Sequence, residues 1–218
     1  MESATGQKEF WEMKKKRRSP DHPVIDAFVA PKIDYIRSHI DINKTTSILD
    51  VGCGNGFFLY SFSKISNPVG LDFSHQMLSM NPCKKIVQGS ALFLPFKDKS
   101  FDVVFCSNLL HHIEDPQEAI ADMKRVSKRY VILSEPNRNN PLMALFSAKV
   151  AEERGALKFS LKYMRGLIEA CGLNIVDSCS MGSIVPNKTP LKLLAFFKRI
   201  DRESSLGFYN LIISKRQN

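Results

Sequence analysis

The chain alternates short apolar runs with stretches that repeat their apolar residues at helical spacing. Ile48-Leu49-Asp50-Val51 runs into a turn with glycines at 52, 54 and 56, and Phe57, Phe58, Leu59 and Phe62 follow at the spacing of a helix. Further apolar runs end at Asp72 (Val69-Gly70-Leu71-Asp72), at Ala91 (from Ile86), at Cys106 (from Phe101) and at Ser134 (from Tyr130). Two more follow, Leu173 to Ser178 and Phe208 to Ile213. Ahead of the first strand, His22-Pro23 opens a helical pattern through Val24, Ile25, Phe28, Val29, Ile33 and Ile36. Ser160 caps another helix, which stops at Cys171-Gly172. Strands alternating with helices predict an α/β fold with a largely parallel sheet.

The glycine turn gives the ligand's character. Strand, glycine turn and helix bring main chain against a nucleotide-like ligand, and a Cβ there blocks the approach or the φ > 0 that the turn needs. A dinucleotide fingerprint puts its third glycine where this chain has Phe57. The spacing is instead G-x-G-x-G, with Asp50 two residues ahead of it. A carboxylate beside the turn repels a pyrophosphate and suits a cationic ammonium, so a ligand with an amino-acid group is favoured over NAD or FAD. Asp72 ends the second strand about 20 residues on, where an acid accepts ribose hydroxyls, and Phe73 can pack on a purine. Taken alone, Asp72 also reads as a cap for the helix starting near Ser74. Asp102, inside the fourth apolar run, reads as structural.

The fourth run continues into Ser107-Asn108-Leu109-Leu110-His111-His112-Ile113. With these residues in register, the chain over roughly residues 30–180 resembles the class I S-adenosylmethionine-dependent methyltransferases of the small-molecule, type 11 kind. The resemblance implies a Rossmann-like seven-stranded sheet in the order 3-2-1-4-5-7-6, with strand 7 antiparallel and helices on both faces. It implies S-adenosyl-L-methionine as cofactor, bound by Asp50, Gly52, Cys53, Gly54 and Asn55 at the methionine end. Asp72 and Phe73 fall at the ribose and purine, Ser90, Ala91 and Leu92 border the adenine, and Ser107 and Asn108 line the sulfonium end. The family usually has an acid at the position of Ser90; a hydroxyl accepts the adenine amino group more weakly, which implies weaker cofactor affinity. The catalytic candidates are His111 and His112, as bases for an acceptor with a proton to lose, with Glu135 and Tyr163 in reserve. The helix from Pro23 is expected to cover the cofactor cleft, and no metal is expected.

Domain organisation reads as a mobile basic arm over residues 1–22, anchored by Phe10 and Trp11. One methyltransferase domain over 23–218 follows, with insertions at about 137–158 and 183–206. The 218 residues, 44% hydrophobic and 24% charged, suit a single compact enzyme. Five cysteines without C-x-x-C spacing indicate neither zinc nor a disulfide framework and fit a reducing cytoplasmic setting. The N-terminus lacks the apolar core of a signal peptide, and no apolar run reaches the length of a membrane span.

The net charge of +9 comes partly from Lys14–Arg18 and from Lys188, Lys192, Lys198 and Arg199. No nucleic-acid-reading module accompanies these clusters. The run Pro190–Ile200 is apolar with basic flanks, so it either packs on its own domain or makes a weak membrane-surface contact. The expected acceptor is a small molecule, such as a lipid or sugar precursor, and the expected state is monomer or homodimer. The alternatives are methyl transfer to RNA or protein through the basic arm, and a non-catalytic S-adenosylmethionine-binding protein.

Overall fold

The computed structural model describes residues 17–217. Seven strands form one sheet: β1 Ser47–Val51, β2 Asn67–Asp72, β3 Ile86–Gln88, β4 Phe101–Ser107, β5 Ser127–Pro136, β6 Leu173–Met181 and β7 Tyr209–Arg216. Their order is β3-β2-β1-β4-β5-β7-β6. The pairs from β3 through β5 are parallel, and β7 lies antiparallel to both β5 and β6. This is the sheet that the sequence led us to expect.

The parallel strands are apolar on both sides because both faces are covered. On β4, Val103 and Phe105 point into one core and Val104 and Cys106 into the other, as the two-residue period of a strand requires. The first core packs the sheet against helices α1 (Pro23–His39) and α2 (Phe57–Ser63). Helix α3 (His75–Ser79) follows β2. The second core uses α4 (Pro116–Val126), through Ala119, Ile120 and Met123, and α6 (Leu161–Ala170), through Met164, Leu167 and Ile168. Asp115 accepts from Gln117 N (2.9 Å) and Ser160 Oγ from Tyr163 N (3.1 Å), so each helix starts on a side-chain cap.

Some boundaries differ from the sequence reading. β3 stops at Gln88 rather than Ala91, because a turn closed by Phe93 N donating to Ser90 O takes the chain away from β2. β6 runs on to Met181, since Cys179–Met181 still pair with Tyr209–Leu211 of β7. The insertion after β5 holds α5 (Pro141–Lys149) and a 3-10 stretch, Ala151–Lys158. The segment between β6 and β7 holds a short 3-10 turn, Leu191–Leu193, and α7 (Leu194–Ile200). Asp102 is structural as expected: its Oδ2 accepts from the Ser47 N (2.9 Å) and hydroxyl, tying β4 to the start of β1.

Of the basic arm, Phe10, Trp11 and Lys14–Lys16 lie outside the described residues. From Arg18 on, the expected arm makes contacts with the body of the fold. Arg18 N donates to Asn187 Oδ1 (3.1 Å), its guanidinium to Pro186 O (2.6 Å), and its carbonyl accepts from Asn55 Nδ2 (2.9 Å). Residue 18 thus straps the glycine turn to the segment before α7.

Candidate active site

A cavity of about 380 Å³ opens beyond the carboxyl ends of β1, β2 and β4, within the usual size of a small-ligand site. Every residue expected at the cofactor lines it: Asp50, Gly52, Cys53, Gly54, Asn55, Asp72, Phe73, Ser90, Ala91, Leu92, Ser107 and Asn108. His111 and His112 line it too. Of the reserves, neither Glu135 nor Tyr163 is on the wall. Glu135 lies behind His111, while Tyr163 packs on Phe159 at 5.3 Å between ring centres.

The β1 end is built from a cradle and a bare carboxyl group. Gly52, Gly54 and Gly56 all have positive φ, at +75°, +51° and +94°, which only glycine adopts without strain. The turn is pinned by Asp72, whose Oδ2 accepts from Gly54 N (2.8 Å) and whose Oδ1 accepts from Ser74 N (2.9 Å). Asp72 therefore shapes the turn as well as facing the cavity, and Ser74, not Asp72, caps α3. Asp50 is different. It is fully buried, yet among the described residues its Oδ2 has no hydrogen-bond partner. Burial, and then the charge of Asp72, push its carboxyl up to about 8. A buried carboxylate oxygen without a partner is costly, and a cationic ligand group removes that cost. At the tip of β4, Asn108 takes the left-handed backbone region (φ +52°), a conformation that asparagine tolerates.

The β4–β5 end is closed rather than bare. Glu135 Oε1 accepts from Leu109 N and Leu110 N, each at 2.9 Å, and Oε2 accepts from His111 Nδ1 at 2.5 Å. His111 Nε2 donates to Glu153 at 3.2 Å. With a carboxylate on each nitrogen, both carry hydrogen and the ring is an imidazolium. Burial works against that charge, but Glu135 and then Glu153 outweigh it and raise His111 to about 9. His112 is the opposite case. Its Nδ1 donates to Glu152 O at 3.0 Å, so Nε2 carries the lone pair. Burial, and then the neighbouring imidazolium, lower it to about 3. At neutral pH His111 therefore already holds its proton, whereas His112 is neutral with an accepting nitrogen.

Glu152 and Glu153 come from the 3-10 stretch in the insertion, which sequence reasoning had left unassigned. The stretch reaches the histidines because Gly155 lies against His111 O, where a Cβ would sit at 1.8 Å. That glycine was the one signal available in the sequence. His111, His112 and Glu153 offer three ligand atoms within 4.8 Å of one another, a spacing open to a metal ion. Much of the remaining wall is apolar, with Phe28 of α1, Phe57, Phe58, Met143, Phe146 and Tyr209, while Arg17, Asn187 and Lys188 add polar groups. Helix α1 covers the cleft through Phe28, as the resemblance implied. Lys32 sits behind it, buried, with Nζ 3.8 Å from the Phe28 ring centre.

Known proteins agree with this layout. Residues 49–133 match the family model described as Methyltransferase domain. Demethylmenaquinone methyltransferase of Staphylococcus aureus (strain Newman) is 36% identical over 104 residues, which is 43% of this chain and 43% of that protein. The match therefore spans less than half of that relative. A S-adenosylmethionine-dependent methyltransferase of Thermotoga maritima superposes with a TM-score of 0.68 at 19% identity, covering 89% of this chain and 92% of that one. A methyltransferase from an antibiotic biosynthesis pathway of Anabaena variabilis gives 0.66 at 13% identity, covering 87% and 98%. At such identities these two speak for the fold alone. Residues 49–133 thus match a methyltransferase domain, and the sheet order with its glycine turn is that of the class I S-adenosylmethionine-dependent methyltransferase fold.

Proposed function

We propose that this chain binds S-adenosyl-L-methionine over the tips of β1 and β2 and transfers its methyl group to a small, largely apolar acceptor by in-line displacement. The observation that carries the reading is the buried, unpartnered Oδ2 of Asp50 beside a cradle of left-handed glycines. An ammonium group satisfies the carboxylate, and the glycines leave room for main chain to meet the rest of the ligand. Asp72 would take the ribose, Phe73 and Ser90–Leu92 the adenine, and Ser107 and Asn108 the sulfonium end. When bound, the sulfonium supplies an electrophilic methyl group.

What remains for the protein is to hold the acceptor in line and exclude water. Phe28, Phe57, Phe58, Met143 and Tyr209 make walls suited to an apolar ring. The name of the Staphylococcus relative, a methyltransferase of a demethylated menaquinone, points the same way. The neutral His112 can accept a hydrogen bond from an acceptor hydroxyl at Nε2. All five cysteines are free, in keeping with a reducing cytoplasmic setting.

The test is incubation with S-adenosyl-L-methionine and a panel of phenols and hydroquinones with tails of different lengths. The demethylated cofactor and the methylated acceptor are then read by mass spectrometry. The reading predicts both products with at least one apolar acceptor. Failure to bind either the cofactor or its homocysteine product by calorimetry would overturn it.

A further inference from the structure

Two helices at the mouth of the cavity turn apolar residues outward. On α5, Leu142, Leu145 and Phe146 share one stripe at spacings of three and four and are exposed, Leu142 at 65%, while Met143 and Ser147 are buried. Helix α7 buries none of its residues. Its inner side, Leu194 and Phe197, packs on the first core, and the Ser183 hydroxyl holds it by donating to Phe197 O at 2.9 Å. Its outer side presents Phe196, 60% exposed, and Ile200, with Leu191 in the turn before it. A surface helix ordinarily keeps its apolar stripe inside and its polar residues outside. These two carry apolar residues on the outer side as well, and α5 and the segment leading to α7 both reach the cavity. Phe146 of α5 and Val185–Lys188, the approach to α7, both line it.

The charge on this rim has one sign. Residues 186–200 contain Lys188, Lys192, Lys198 and Arg199 and no acid, and α5 ends in Lys149 with no acid of its own. All five cations are exposed. We propose that this rim docks on an anionic lipid bilayer and that the acceptor, a small molecule with an apolar tail, enters the cavity from that surface. The exposed apolar side chains sink among the lipid chains while the cations pair with head-group phosphates. A second copy of the chain on this face would set one cationic rim against another, which like charge opposes. Nucleic acid would meet the cations but has no use for exposed Leu142, Leu145, Leu191 and Ile200, which cannot stack as aromatic rings do. No helix among the described residues is long and apolar enough to cross a membrane, so the contact offered is at the surface. The docking face stands on its own; entry of the acceptor rests on the methyl-transfer reading.

The test is sedimentation of the full chain with vesicles of phosphatidylcholine alone and with about 30 mol% phosphatidylglycerol added. Binding should be roughly tenfold greater on the anionic vesicles and should fall in high salt. Leu145→Glu combined with Phe196→Glu should abolish it, and Lys192→Glu with Lys198→Glu should remove the preference for anionic lipid. None of these four lines the cavity, so calorimetric binding of S-adenosylhomocysteine should stay unchanged and report that both variants are folded. Unaltered vesicle binding by the Leu145→Glu, Phe196→Glu variant would overturn the proposal. So would absence of binding to anionic vesicles, a dimer that this variant dissociates, or RNA binding in place of lipid binding. Vesicle binding without any affinity for the cofactor product would leave the docking face standing and sink the methyl-transfer reading instead.

Discussion

The two ends of the cavity each bury an ionisable group, and they treat it in opposite ways. At the β1 end, Asp50 keeps a carboxyl oxygen with no partner among the described residues. At the β4–β5 end, His111 has a carboxylate on each ring nitrogen, and Glu135 adds two backbone donors to the same cluster. A satisfied buried network fixes shape; an unsatisfied buried carboxyl waits for a ligand. The difference separates a scaffold from a binding group more clearly than burial does, since both groups are enclosed.

Breaking the scaffold end should have the largest effect. Glu135→Ala leaves Leu109 N, Leu110 N and His111 without their shared acceptor. It should cost about 3–5 kcal/mol of stability in chemical denaturation. The loss should also depend on pH. His111 titrates at 6.5 when unfolded and at about 9 in the fold, so its contribution is complete below 6.5 and disappears as pH rises through 9. Asp50 adds a second slope of the same sign. Its carboxyl is raised from 3.8 to about 8, so it favours the fold below 3.8 and loses that advantage as pH rises through 8. Thermal midpoints of the ligand-free protein across pH 4–10 should therefore fall in two windows. Glu135→Ala should flatten the upper one and Asp50→Asn the lower.

His112→Ala sharpens the comparison from the side of catalysis. A ring lowered to about 3 is a weak base, so its removal should reduce kcat by roughly 10- to 100-fold, the low end for a positioned base. The affinity for S-adenosylhomocysteine should not change. Ser90→Asp should have the smallest effect. Ser90 is exposed, and its hydroxyl already accepts from Leu92 N at 3.2 Å. A charged acceptor there should tighten cofactor binding by about threefold in a titration.

The cofactor end was legible because its chemistry is local. Asp50, the three glycines and Asp72 lie on strand ends whose alternation with helices can be read directly, and parallel register brings those ends together. The acceptor end was not. His111 and His112 look equivalent as neighbours in the chain, yet Glu135, which pairs with His111, sits 24 residues away, and Glu153 and Glu152, 42 and 40 residues away, lie in an insertion without periodic pattern. No local spacing reports that one ring will be charged and the other neutral. The amphipathic run Pro190–Ile200 was visible in the sequence, but not the fact that its apolar residues face outward beside the cavity. Tyr163 failed as a reserve base for a related reason: its helix turns it onto Phe159 in the second core's border.

The central claim is that Asp50 is kept bare for a ligand's ammonium. Calorimetry of S-adenosylhomocysteine binding at neutral pH, in two buffers of different ionisation enthalpy, tests it on wild type and Asp50→Asn. Wild type should release a proton on binding, because the ligand cation displaces the proton held by a carboxyl raised to about 8. The variant should release none and bind roughly 100-fold more weakly, a loss of about 3 kcal/mol. Equal affinity for the two proteins, with no proton released by either, would contradict the account.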